Sequence, residues 1–212
     1  MTAVLRSEWR KLSTSPGTPW LLLAVIASTT GVGALAAATV SGGDRVKTAL
    51  TGVQLGQAVV VILAVLLISG EYATGMIRVS LAATPRRTAL LAAKAALLTS
   101  TVAVTGALAI GTSLLVAHAP VTAAALRSVL YLCLMALLAL GASTVVRETG
   151  ASIGLMLGLL YLPPLLLPAI TDPAWKRHIQ HLAPASGGLG TLAWWALAAM
   201  LLGAVTLSIR DA

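Results

Sequence analysis

Charge is the scarcest property of this chain: 9% of its 212 residues are Asp, Glu, Lys or Arg, whereas 58% are hydrophobic. Soluble domains are nearer a quarter charged, so the shortage excludes an ordinary water-soluble globule, as does a mean hydropathy of +0.95. Cysteine occurs once, as Cys133 inside an apolar run; no intrachain disulfide can form and no compartment can be read from it. Acidic residues number 6: Glu8, Asp44, Glu71, Glu148, Asp172 and Asp211. All fall in loops, ends or span boundaries. Proton- and ion-coupled carriers keep an ionisable group mid-membrane, and the apolar runs contain no acid to serve. The phosphate-cradling pattern G-x-x-x-x-G-K-[ST] is also missing, so the chain does not hold ATP itself. If it transports, its free energy enters through a surface outside the bilayer.

What is present is a series of apolar runs of about 20 residues, each long enough to cross a bilayer as a helix. They predict an all-α polytopic membrane protein, one transmembrane domain over residues 1–212. Its six spans lie at about Trp20–Val40, Gly52–Ser69, Leu90–Ala117, Ala124–Val146, Gly150–Ile170 and Leu189–Ser208. A net charge of +8 would suggest nucleic acid in a soluble chain; here membrane lipids are the expected partner.

Residues 1–18 form an N-terminal segment. Leu5, Trp9 and Leu12 recur at i, i+4, i+7 opposite Arg6, Ser7, Arg10 and Lys11, the pattern of an amphipathic helix in the interface with Trp9 at headgroup depth. Its long charged start carries Glu8, and the run that follows is nearer a full span than a signal-peptide core. It is therefore read as an uncleaved anchor. Lys94 is expected to snorkel from the first turns of the long third span. Pro163, Pro164 and Pro168 must break or kink the fifth. In the extracytoplasmic segment 171–188, Asp172 and Pro173 open a short outer helix with Trp175, Ile179 and Leu182 on one face.

With the amino terminus inside, 9 of the 14 basic residues fall on the cytoplasmic side (Arg6, Arg10, Lys11, Arg78, Arg86, Arg87, Lys94, Arg147, Arg210). The other 5 (Arg45, Lys47, Arg127, Lys176, Arg177) fall opposite. The positive-inside rule then puts both termini in the cytoplasm.

The densest polar chemistry lies in the loop 70–88, within Gly70–Lys94. Ser69-Gly70 offers a cap, Glu71 an acid for a first turn and Arg78 a cation further on, before Pro85. The prediction is a short helix from Glu71 to about Ala83. Its mixed surface suits a partner groove, and an ordinary charged loop between spans is the other reading. Gly150, Gly154 and Gly158 repeat every four residues on one helix face, which serves either internal packing or a seam between subunits. Gly52 and Gly56 have the same spacing beside Gln54 and Gln57.

Several motifs carry no chemistry. Gly150-Ala151-Ser152-Ile153-Gly154 spells the nucleophile elbow, but it opens a membrane helix rather than a strand-to-helix turn. Gly188-x-Gly190-x-x-Ala193 lacks a βαβ unit. His178 and His181 near Asp172 suit a wet helix face better than a metal. No catalytic, cofactor or metal site is expected, and the chain is read as not an enzyme.

Glu71-Tyr72-Ala73-Thr74-Gly75-Met76-Ile77-Arg78, followed by Pro85-Arg86-Arg87 and Lys94, resembles the EYxxGTIR…PRR…K region of bacterial ABC-2 type transporter permeases. Met76 stands where Thr is more usual. The N-terminal segment, six spans, Arg147-Glu148 turn and outer helix are similar too. The resemblance implies a permease subunit of an exporter in the bacterial cytoplasmic membrane. A coupling helix bearing Glu71, Tyr72, Gly75, Met76, Ile77 and Arg78 would dock on a separate ABC ATPase subunit. A second permease, identical or related, would meet it at a seam including Gly150, Gly154 and Gly158. Two rivals remain: a membrane assembly or immunity protein whose 70–88 loop binds another cytosolic partner, and an intramembrane hydrolase using Ser152, which lacks a visible base.

Overall fold

Inside a bilayer no water completes the backbone's hydrogen bonds, so an apolar run satisfies itself as a helix. The structure, a computed structural model, describes residues 2–39, 44–77, 87–169, 172, 175–177, 183–185 and 188–210. Among these, helix dominates and no strand occurs. The order is α1 (Thr2–Thr14), α2 (Gly17–Thr39), α3 (Arg45–Leu50), α4 (Val53–Ala73), α5 (Arg87–Val116), α6 (Ala123–Val146), α7 (Thr149–Leu166) and α8 (Gly188–Arg210). A 3-10 turn, Leu167–Ala169, finishes α7. Among the described residues 6 helical segments are long and apolar enough to span a membrane: α2, Arg45–Ala73 (α3 with α4), α5, α6, α7 and α8. This is a multi-pass helical membrane protein.

The chain forms two compact units, Met1–Leu63 with Ala93–Ala136, and Ala64–Ala92 with Leu137–Ala212. In the first, small residues bring helices together. A side chain at Gly52 would overlap the Thr29 carbonyl, one at Gly56 the Thr29 hydroxyl, and one at Gly33 the Ser113 hydroxyl. This is the close approach expected of the Gly52–Gly56 pair. Buried polar groups then find partners, on other helices and, for Gln57 and Gln54, within α4. Tyr131 donates to the Gln57 side-chain oxygen at 2.6 Å, Gln57 donates to Gln54 at 3.1 Å, and Ser113 donates to the Ala49 carbonyl at 2.8 Å. Thr30 and Thr112 share a hydrogen bond of 2.7 Å. In the second unit Gly141 does the same work: its missing side chain would lie 2.5 Å from the Ala199 carbonyl carbon.

Three expectations need correction. The second span does not stop at Ser69. The Ser69 hydroxyl donates back to Val65 at 2.8 Å instead of capping forward, so the helix runs on through Glu71 and Tyr72 to Ala73. It ends at Gly75, whose φ of +71° is the left-handed conformation that terminates helices. A docking helix therefore does not begin at Glu71; helix resumes at Met76–Ile77, and Arg78–Ala83 lie outside the described residues. Second, of the three prolines expected to break or kink the fifth span, Pro163 and Pro164 do not end α7, which continues to Leu166 and gives way to the 3-10 turn at Pro168. Both fall in the last turn of α7, and Leu167 N–H still reaches the Pro163 carbonyl. The face that α1 turns to the protein was left open by the sequence. Glu8 and Leu12 are buried while Trp9 is exposed. Third, Lys94 does not snorkel. It is 1% exposed and meets the Glu8 carboxylate at 2.5 Å. A charge buried in an apolar surround must be paired, and Glu8 is brought to it by α1. Of the outer helix, Asp172 and Trp175–Arg177 are described, with Lys176 N–H on the Asp172 carbonyl at 3.1 Å; His178 to Leu182 lie outside.

Lys11 meets the other Glu8 oxygen at 2.7 Å. Burial alone would push the Glu8 carboxyl up, but the Lys94 charge, with hydrogen bonds from Lys11 and Lys94, holds it below its ordinary 4.5. Removing one member of a buried pair costs about 3–5 kcal/mol, and apolar replacement of both costs far less. Lys94→Met should therefore release α1, read as about a hundredfold or more faster tryptic cleavage near Arg10, and Glu8→Leu/Lys94→Met should restore protection. A carboxylate with a lowered folded value stabilises docking above pH 4.5 and loses that contribution as pH falls through the folded value. Protection of wild type should fail only below that range. Equal protection of Lys94→Met and wild type would show that the pair does not hold α1.

Candidate functional site

A helix that ends leaves its last four carbonyls without intrahelical partners, and its dipole places negative charge there. The last turn of α8 meets both demands with arginine. Arg87, at the start of α5, donates to the Leu207 carbonyl at 3.0 Å and to that of Ser208 at 3.4 Å. Arg147, just past α6, donates to the Thr206 carbonyl at 3.3 Å. The Arg147 guanidinium also stacks on the Tyr72 ring, 5.1 Å from its centroid, a cation–π contact. Tyr72 belongs to the last turn of α4. The ends of α4, α6 and α8 and the start of α5 thus share one arginine-braced cluster within the second unit.

Arg147 adopts φ +66°, a conformation that costs a non-glycine residue about 1–2 kcal/mol. The strain has a local return. Arg147 N–H closes α6 on the Ser143 carbonyl at 2.9 Å, and the reversed backbone lets Glu148 cap α7. The Glu148 carboxylate accepts from Gly150 N–H at 2.8 Å and from Ala151 N–H. Those bonds, the Ala151 one foremost, hold its pKa below the usual carboxylate range. Arg147-Glu148 is therefore the tight turn between α6 and α7 that the sequence suggested.

Beyond this brace the docking residues divide. Glu71 and Tyr72 are half-buried on α4, Gly75 makes the break, Met76 is 46% exposed and Ile77 is 6% exposed. Arg78 lies outside the described residues. The turn thus presents Ala73 to Met76 outward with Ile77 anchored inward. The seam glycines also divide. At Gly150 a side chain would meet the Glu148 carboxylate at 3.2 Å, so that glycine serves the cap. Gly154 is exposed, and a side chain there would meet nothing within 4 Å among the described residues, while one at Gly158 would face its own helix's Leu162 at 3.5 Å. The helix contacts inside the chain use other glycines.

Ser152 is fully buried inside α7, not on a strand-to-helix turn. Sequence reasoning missed Glu8 with Lys94, and Arg87 and Arg147 with α8. The first had a signal, since Glu8 is the acid of an otherwise basic helix and Lys94 the charge interrupting the third apolar run. The second had none, because backbone carbonyls are not written in side chains.

Arg147→Ala removes the Thr206 bond and the ring contact together. Amide exchange in the last turn of α8 should accelerate by about tenfold, matching a loss of about 1.5 kcal/mol, while exchange in α2 stays unchanged. Unchanged exchange at residues 206–209 would remove the brace. No protein-family model matches the chain, and no curated protein matches it in sequence.

Proposed function

We propose that the chain is the permease subunit of an ABC-2 type exporter, driven by a separate ATPase subunit and paired with a second permease. The observation that carries this reading is the turn that leaves α4. It offers an exposed Met76 and an anchored Ile77 immediately after a helix end held by Arg147. Force applied at such a turn is delivered to a span rather than lost in a slack loop. The six apolar helices support the reading, as does the likeness of Glu71–Arg78, Pro85–Arg87 and Lys94 to that family's central region. Within the described spans the one acid, Glu71, sits in the last turn of α4 and none lies mid-span, which supports an energy source outside the membrane. The chain itself is taken to catalyse nothing. Both termini and the 70–88 loop are assigned to the cytoplasm on the distribution of basic residues.

Met76→Asp and Arg78→Glu together should reduce recovery of the co-expressed ATPase with the purified permease at least tenfold. A charge left unpaired in an interface costs about 2–5 kcal/mol. Membrane insertion should stay normal, and Arg45→Glu, on the far loop, should leave recovery intact. Undiminished recovery with the double variant would reject the docking role. A different cytosolic partner lost in its place would favour the assembly or immunity reading.

The open Gly154 face is the proposed contact with the second permease. Gly154→Leu should abolish crosslinking between copies, or to the related subunit, while the thermal midpoint of the single chain stays within about 2 °C, because a side chain there would begin in open space among the described residues. Gly141→Leu should do the reverse, lowering the midpoint through a clash with Ala199. Full crosslinking of Gly154→Leu moves the seam elsewhere.

A further inference from the structure

Helix α1 is fixed in height by two connections. Its last residue, Thr14, is joined through Ser15 and Pro16 directly to α2, the first candidate span. Its inward face is tied through Glu8 to Lys94. After Lys94, α5 carries no charge as far as Val116. About 20 helical residues cross a hydrocarbon core of about 30 Å, and counting back from Val116 exhausts them near Leu97. Lys94 then stands about one turn outside the core, and α1 lies at the level of the headgroups.

At that level the two faces of α1 differ in kind. Glu8 is 3% exposed and Leu12 7%, both turned inward. Arg6 and Arg10 are exposed one turn apart, with Trp9 53% exposed between them. Because the acid of α1 is spent on Lys94 and Lys11, the outward face holds two cations and no anion. Guanidinium groups grip phosphate oxygens in pairs, and indole rings settle among headgroups.

We propose that Arg6, Trp9 and Arg10 form a binding surface for an anionic phospholipid headgroup. The occupant is a lipid and not a protein segment: its charge complements the face, and the helix lies at the depth where headgroups are. This surface stands whether or not the chain is a transporter.

The test is native mass spectrometry of the full chain in detergent, titrated with phosphatidylglycerol, with phosphatidylcholine and with inorganic phosphate. Wild type should bind the first phosphatidylglycerol about 25-fold more tightly than phosphatidylcholine, about fivefold per arginine. Arg6→Gln/Arg10→Gln should bring that preference within about threefold, with an unchanged thermal midpoint in lipid-free detergent. Arg127→Gln, an exposed arginine on α6, should keep the wild-type preference. A double variant that retains the preference overturns the proposal, as does a wild type that binds both lipids alike. Displacement of the lipid by inorganic phosphate at equal concentration would also overturn it, showing a phosphate site instead.

Discussion

Every peptide group of this chain that enters a bilayer must find its hydrogen bond within the protein, and the helix ends are where that demand is hardest to meet. Each described end answers it differently. Gly75 closes α4 in the left-handed conformation at no steric cost. His118, at φ +50°, lets Ala119 N–H return to the Leu114 carbonyl at 2.9 Å and so closes α5. Arg147 accepts backbone strain to close α6, and its guanidinium then serves α8. Arg87 completes α8 from the start of another helix. The arginines at these turns are structural before they are anything else.

Between helices the usual driving force is weak, since lipid tails are as apolar as leucine. Contact has to come from close backbones and from polar groups that find each other. Gly33, Gly52 and Gly56 in one unit and Gly141 and Gly203 in the other provide the close approach. The Tyr131–Gln57 and Thr30–Thr112 bonds add specificity. Against that background the buried Glu8–Lys94 pair stands apart. It balances a large desolvation cost with two ions and a second lysine, so it sets where α1 sits more than how stable the fold is.

The same economy of charge shapes the functional reading. Among the described residues, Glu71 in the last turn of α4 is the one acid within a candidate span, so the acids lie at helix ends and boundaries. There one turn points a methionine outward from an arginine-braced helix end, and one short helix points arginine and tryptophan outward from a neutralised acid. Both surfaces exist because charges beside them, Arg147 and Glu8, have been committed inward.

The six spans were legible in the residues because hydrocarbon thickness and helix rise dictate apolar length, and the ends at Val116 and Val146 follow from where the polar turns begin. The Arg147-Glu148 turn and the close approach at Gly52 and Gly56 were legible too, from local chemistry at fixed spacing. The end of α4 was misread because Ser69 can cap forward or bond backward, and only the continued helix decides between them. The inward face of α1 was not legible for a related reason. Periodicity finds an apolar stripe, but Lys94, 86 residues from Glu8, decides which stripe is buried. Apolar length and local spacing belong to the sequence alone. The partner of a buried charge and the donor to an open helix end are settled by tertiary structure, because both depend on which distant helix arrives there.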